Sequence, residues 1–233
     1  MRHFLRPGMA LLLSLWLLFP LSSPAQAKTW RPSSEAEANQ EALSLFSYCA
    51  FHPEYSNEEN FRLTRWAQEI TLWLGGAPTP EDRAVVDEFI LQLQQNVPAL
   101  PPIRRVKIDT QANVRLWFVP LYSMGYYLTD YVEDNWGFFT YEHPQWRIVS
   151  ARIGIASDIT TQEERNHLIL EELVGALGLP GDHETYEDSI LYQAPTTTQA
   201  LSDLDWRMLN LLYDPRVSPG MTEGQAQEAL REN

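Results

Sequence analysis

The chain has 233 residues, with 31 Asp and Glu against 17 Lys and Arg, and a formal net charge of −14. That acidity argues against nucleic acid or an anionic membrane surface as a partner. Cys49 is the only cysteine, so no internal disulfide forms and an apolar core must hold the fold.

The N-terminus carries a targeting pattern. Arg2 and Arg6 flank the start of an apolar run, residues 10–21 (ALLLSLWLLFPL), and Ala25-Gln26-Ala27 forms a small-x-small cleavage signal. The run is short for a bilayer span. The expectation is a signal peptide at 1–27, then one domain at 28–233 with no transmembrane segment after cleavage. The product is exported, to the medium, the periplasm or the cell envelope. A retained N-terminal anchor is the alternative.

Ser34 and Glu37 fit a capping box, and Ala38, Ala42, Leu45, Phe46 and Cys49 then recur at helical spacing. Residues 51–60 (FHPEYSNEEN) read as a loop. Residues 66–74 alternate like a strand that stops at Gly75-Gly76. Thr79-Pro80 followed by Glu81 and Asp82 starts a second helix, with Val85, Val86, Phe89, Ile90 and Leu93 as its buried stripe. Val106 and Ile108 begin a strand region, and Val114, Leu116 and Phe118 mark another. Residues 121–135 read as a loop with a short turn. Residues 136–141 and 146–155 read as strands joined at 142–145, with His143 a solvent-facing turn residue. The aromatics Tyr122, Tyr126, Tyr127, Tyr131, Trp136, Phe138 and Phe139 fit either sheet packing or a sugar- or peptide-binding face.

The most informative stretch is residues 167–192, HLILEELVGALGLPGDHETYEDSILY. Thr160 with Glu163, or Thr161 with Glu164, caps a helix that runs to about Leu177. Gly178 suits its C-cap and Pro180 prevents continuation. Glu171 and Glu172 lie side by side in an otherwise apolar run, where an unpaired carboxylate is costly. A second capped helix is expected over 201–213, with Ser202 as N-cap, and a short terminal helix over 223–232.

Residues 171–181 (EELVGALGLPG) resemble the HExxHxxGxxH helix of metzincin-type zinc peptidases. Glu172 occupies the general-base position and Gly178 the bend glycine. Ser189-Ile190-Leu191-Tyr192 resembles the Met-turn, with leucine for methionine. The three histidine positions hold Glu171, Gly175 and Gly181. A glycine has no side chain to bind metal, so the standard three-ligand zinc site is absent. A second resemblance covers most of the chain after residue 27. Residues 112–120 (ANVRLWFVP), 171–182 (EELVGALGLPGD) and 211–221 (LLYDPRVSPGM) are similar to the bacterial domain-of-unknown-function 2927 family, exported proteins with a zincin-like core. That resemblance implies no activity.

These likenesses imply an α+β, zincin-like fold: a small, twisted, mostly antiparallel sheet backed by helices, with the central helix under a cleft. The implied function is a non-catalytic module that binds a peptide or an envelope polymer, and it needs no cofactor. The alternative is a metallohydrolase holding zinc or another divalent metal on His167, Glu171 and Asp182 or His183, with Glu172 as its base. His167 and Glu171 are four apart on one helix face, a two-ligand spacing. In the non-catalytic case Glu172 bonds the backbone of the loop leading to Ser189. Gly178, Ser189, Tyr192 and Arg216 are expected to be structural, with Arg216 pairing a core carboxylate.

Overall fold

A computed structural model describes residues 28–55 and 61–231, so the signal segment expected at 1–27 lies outside the described residues. Helix α1 (Glu35–Phe51) starts at Ser34, whose side chain accepts from the Glu37 N–H, and buries Ala38, Ala42, Phe46 and Cys49. Two strands follow in place of the single one expected over 66–74: β1 (Arg65–Trp66) and β2 (Ile70–Gly76). Helix α2 (Pro80–Asn96) has a reciprocal capping box between Thr79 and Asp82. Strand β3 (Ile103–Arg105) comes a few residues before the expected position, and β4 (Val114–Val119) matches its alternation.

The loop expected over 121–135 contains the single-turn helix α3 (Met124–Tyr127). Strand β5 (Gly137–Glu142), the short β6 (Arg147–Ile148) and β7 (Ser150–Ala156) complete the strands. Helix α4 (Gln162–Leu177) uses Thr161 with Glu164 as its capping box. It ends at Gly178, whose φ of 122° is open to glycine and strained for other residues. Helices α5 (Asp203–Leu212) and α6 (Glu223–Arg231) close the chain, α5 capped by Ser202. No helix among the described residues is long and apolar enough to cross a membrane.

The main sheet has five strands in the order β3-β2-β4-β7-β5. Only the β5–β7 pair is antiparallel, which corrects the expected mostly antiparallel sheet. The physical reason lies in the connections. Helix α2 carries the chain from β2 back to the same end of the sheet, which makes β3 parallel to it. The long path from β4 through α3 and β5 does the same for β7. Strands β1 and β6 form a separate parallel pair. The core packs α1, α2, α4 and α5 around Phe46, Trp66, Phe89, Leu116, Ile153, Val174 and Leu209. A satellite cluster of Val119, Met124, Leu128 and Phe138 lies across the sheet from it.

Asp205 fastens α5 to the turn at Ser189. Its carboxylate accepts from Ser189 Oγ (2.5 Å), Ile190 N–H (3.1 Å), Ser202 N–H (2.7 Å) and Ser202 Oγ (2.8 Å), and the residue is buried. Asp205→Ala strands those donors without water, and a loss of about 3 kcal/mol is expected in denaturant unfolding. Asp205→Asn should lose less.

Candidate acidic cleft beside the sheet edge

Helix α4 lies beside β5, the edge strand, and a cleft of about 500 Å³ opens between them. Its carboxylates are Glu54, Glu171, Glu172, Asp182 and Asp130. Its rings include Tyr55, Phe61, Trp136, Phe139, Tyr141 and His143. No Lys or Arg lines it among the described residues.

Three local features build this arrangement. The bend after α4 is fixed to the end of α1: the Gly181 N–H donates to the Cys49 carbonyl (2.9 Å) and the Glu54 N–H to the Pro180 carbonyl (3.2 Å). That brings Glu54 and Asp182 to the same mouth. The turn at Ser189 is held by Asp205 and presents the buried Leu191 to the cleft. On β5, Gly137 leaves room for a carboxylate: a Cβ there would overlap Glu172 Oε1. Isolated glycines in strands often mark such close approaches.

Glu172 is 8% exposed, touches the cleft, and receives no hydrogen bond from any described residue. The loop to Ser189, which it was expected to bond, belongs to Asp205 instead. Burial raises the Glu172 pKa well above the ordinary range, and the neighbouring charges of Glu171, Asp182 and Glu54 raise it further. Glu171 is raised by burial first and then by Asp182 and Glu54. Asp182 is pushed up to about 7, chiefly by burial and then by Glu54.

Of the two histidines expected to join this cluster, His167 reaches Glu171 from outside the cleft and His183 turns elsewhere. His167 is buried, with Nδ1 3.0 Å from the Thr198 carbonyl, so Nδ1 donates and Nε2 is left facing Glu171 Oε2 at 3.5 Å. Burial lowers its pKa. His183 accepts from the Thr185 N–H at Nδ1 (3.2 Å), which puts the ring proton on a buried Nε2 without a partner. Burial pushes its pKa down to about 4. Neither ring lines the cleft. Among the described residues no three His, Cys, Asp or Glu side chains stand close enough together to hold a metal ion.

The glycines at the other two histidine positions of the zinc-peptidase pattern are enclosed. A Cβ on Gly175 would overlap the Phe139 ring, and one on Gly181 would overlap the His52 carbonyl. The first neighbour is a ring that can shift; the second is backbone. Gly178 presses similarly on the Thr64 carbonyl, and Tyr192 is bridged to His183. Arg216 does not meet the core carboxylate expected for it. It grips Asp214, two residues away, at 2.8–2.9 Å and lies partly exposed. His143, expected to face solvent, stacks on Trp146 and lines the cleft. Glu54 carried no signal in the sequence, because only the tertiary packing of α1 against the bend brings it here.

Residues 39–232 match the family described as "Protein of unknown function (DUF2927)". The chain belongs to this family. Among curated proteins none matches. The solved structures similar to the chain include two at 15% identity. One, described as "Structure of Myroilysin", aligns over 65% of this chain and 83% of its own with a TM-score of 0.41. The other, "Crystal structure of myroilysin", aligns over 81% and 99% with a TM-score of 0.42.

Two measurements check the site. Gly181→Ala should cost about 2–4 kcal/mol in thermal or denaturant unfolding, since backbone must move. The helical Gly224, whose Cβ would meet nothing within 4 Å, should gain up to about 1 kcal/mol as Ala. The second concerns pH. A carboxyl whose pKa is raised by folding binds its proton more tightly in the folded state. Stability from the cleft is therefore intact below the ordinary carboxylate range and is lost as pH rises through about 7, where Asp182 titrates. Glu172→Gln should flatten that fall and raise stability at about pH 8 by on the order of 2 kcal/mol relative to wild type.

Proposed function

We propose that this protein is an exported, zincin-like module that holds an extended peptide along β5 without cleaving it. The observation that carries the reading is the outer edge of β5, which at Gly137 and Phe139 pairs with no described strand, beside a cleft whose metal-ligand positions are enclosed. The Ala156 N–H donates to the Trp136 carbonyl at 2.7 Å, which sets the alternation along the antiparallel pair. By that alternation Phe138 and Thr140 face Gly154 and Arg152 of β7 as hydrogen-bonded pairs, so the backbone of Gly137 and Phe139 turns to the other edge. An extended chain adds to such an edge by main-chain hydrogen bonds, and its side chains reach pockets at alternate positions. The cleft volume, about 500 Å³, suits a few side chains rather than a folded domain.

Hydrolysis needs an activated water. Glu172 has the burial and raised pKa of a general acid or base, but metal-assisted chemistry asks for about three ligands around an open position. The metallohydrolase reading depends on His167 or His183, and neither ring lines the cleft: His167 Nδ1 donates to the Thr198 carbonyl with Nε2 3.5 Å from Glu171 Oε2, and His183 Nδ1 accepts from the Thr185 N–H. The targeting pattern at 1–27 supports export.

Capped pentapeptides rich in Val and Thr should quench or shift the fluorescence of Trp136, and mass spectrometry after overnight incubation should find them intact. Methylating alternate backbone nitrogens of the peptide should reduce binding by at least about tenfold, as lost main-chain bonds require. Peptide fragments, or binding indifferent to methylation, would contradict the reading.

A further inference from the structure

We propose that the cleft selects a peptide carrying an arginine, whose guanidinium enters between α4 and β5 and is held by Glu171 and Glu172. This rests on the peptide-binding reading and names the chemistry of its ligand. Glu54, Glu171 and Asp182 gather at the mouth with no Lys or Arg in the lining among the described residues.

The second observation is independent of that crowding. Glu172 sits on the floor, more than nine-tenths buried, aimed into the cleft, with no hydrogen-bond donor from any described residue. A buried carboxylate in that state is costly, and the fold maintains it by keeping Gly137 bare above it. A ligand that brings donors relieves the cost; a neutral aliphatic side chain does not.

Among cations the surroundings favour guanidinium. Its planar fork can bond two carboxylate oxygens at once, and its flat faces stack on aromatic rings. Rings are supplied by Tyr55, Trp136 and Phe139. An ammonium bonds as a compact, strongly hydrated charge and uses neither the fork nor the rings as well. The position on the strand also fits. Gly137 and Phe139 direct their side-chain positions toward α4, as the overlaps with Glu172 and Gly175 show, so a bound strand beside them can do the same with every second residue.

The test is calorimetric titration of the protein with four capped pentapeptides that differ only at the central residue, Arg, Lys, Gln or Glu. The Arg peptide should bind about tenfold or more tighter than the Gln peptide, with Lys between them and Glu weakest. In the Glu171→Gln, Glu172→Gln double variant the Arg preference should vanish, the Arg and Gln peptides then binding alike. The variant removes buried charge, so it should fold, and its melting curve checks this. Equal affinity for Arg and Gln peptides overturns the inference and leaves strand binding standing. Binding of none of the four overturns both. Stoichiometric binding of zinc or calcium ions alone, abolished in the double variant, assigns the carboxylates to a metal and also overturns it.

Discussion

A carboxylate removed from water must find donors, share a proton or cost several kcal/mol. Glu172 is close to that position: it is 8% exposed, open only onto the cleft, and has no hydrogen-bond donor among the described residues. Helix α4 is enclosed on its apolar face, which fixes where its side chains point. Strand β5 must pass close over it, and Gly137 is the residue that allows this. Burial first, and then the like charges nearby, make Glu171, Glu172 and Asp182 hold protons that ordinary carboxylates release. The fold tolerates a local loss of stability that packing elsewhere offsets, a common arrangement at binding and catalytic sites.

The same helix explains why this cleft differs from a zinc peptidase site of the pattern it resembles. Removing a ligand leaves a hole that can be refilled by one substitution. Here the space beside Gly175 is taken by the Phe139 ring, and Gly181 lies against the backbone at the end of α1. The bend after α4 has been packed tightly onto α1, with Gly181 bonded to Cys49 and Glu54 bonded to Pro180. That packing delivers Glu54 and Asp182 to the mouth. One packing contact therefore accounts for both the enclosure of Gly181 and the negative charge at the mouth.

Much of this was legible in the sequence, and the limits have physical causes. Caps and apolar spacing located α1, α2, α4 and α5 because those signals are local: Thr79, Thr161 and Ser202 each cap the helix that follows. Strand direction was misjudged because alternation reports which face is buried and not which neighbour pairs. The adjacent Glu171 and Glu172, singled out in the sequence, both line the cleft. Its other members did not appear, since Glu54 and Phe139 reach it only through tertiary packing. The role expected of Glu172 at the Ser189 turn fell to Asp205, another buried acid 33 residues further along. Sequence spacing could not separate the two, because both carry a carboxylate near an apolar run.

The central claim is that this cleft holds carboxylates in place of a metal centre. Elemental analysis of protein purified without chelators, then equilibrated with zinc and gel-filtered, tests it most directly. The account predicts well under about 0.1 equivalent of retained metal, because a stable site needs about three converging ligands. Retention of about one equivalent, lost on Glu171→Gln, His167→Ala or Asp182→Asn, would contradict it.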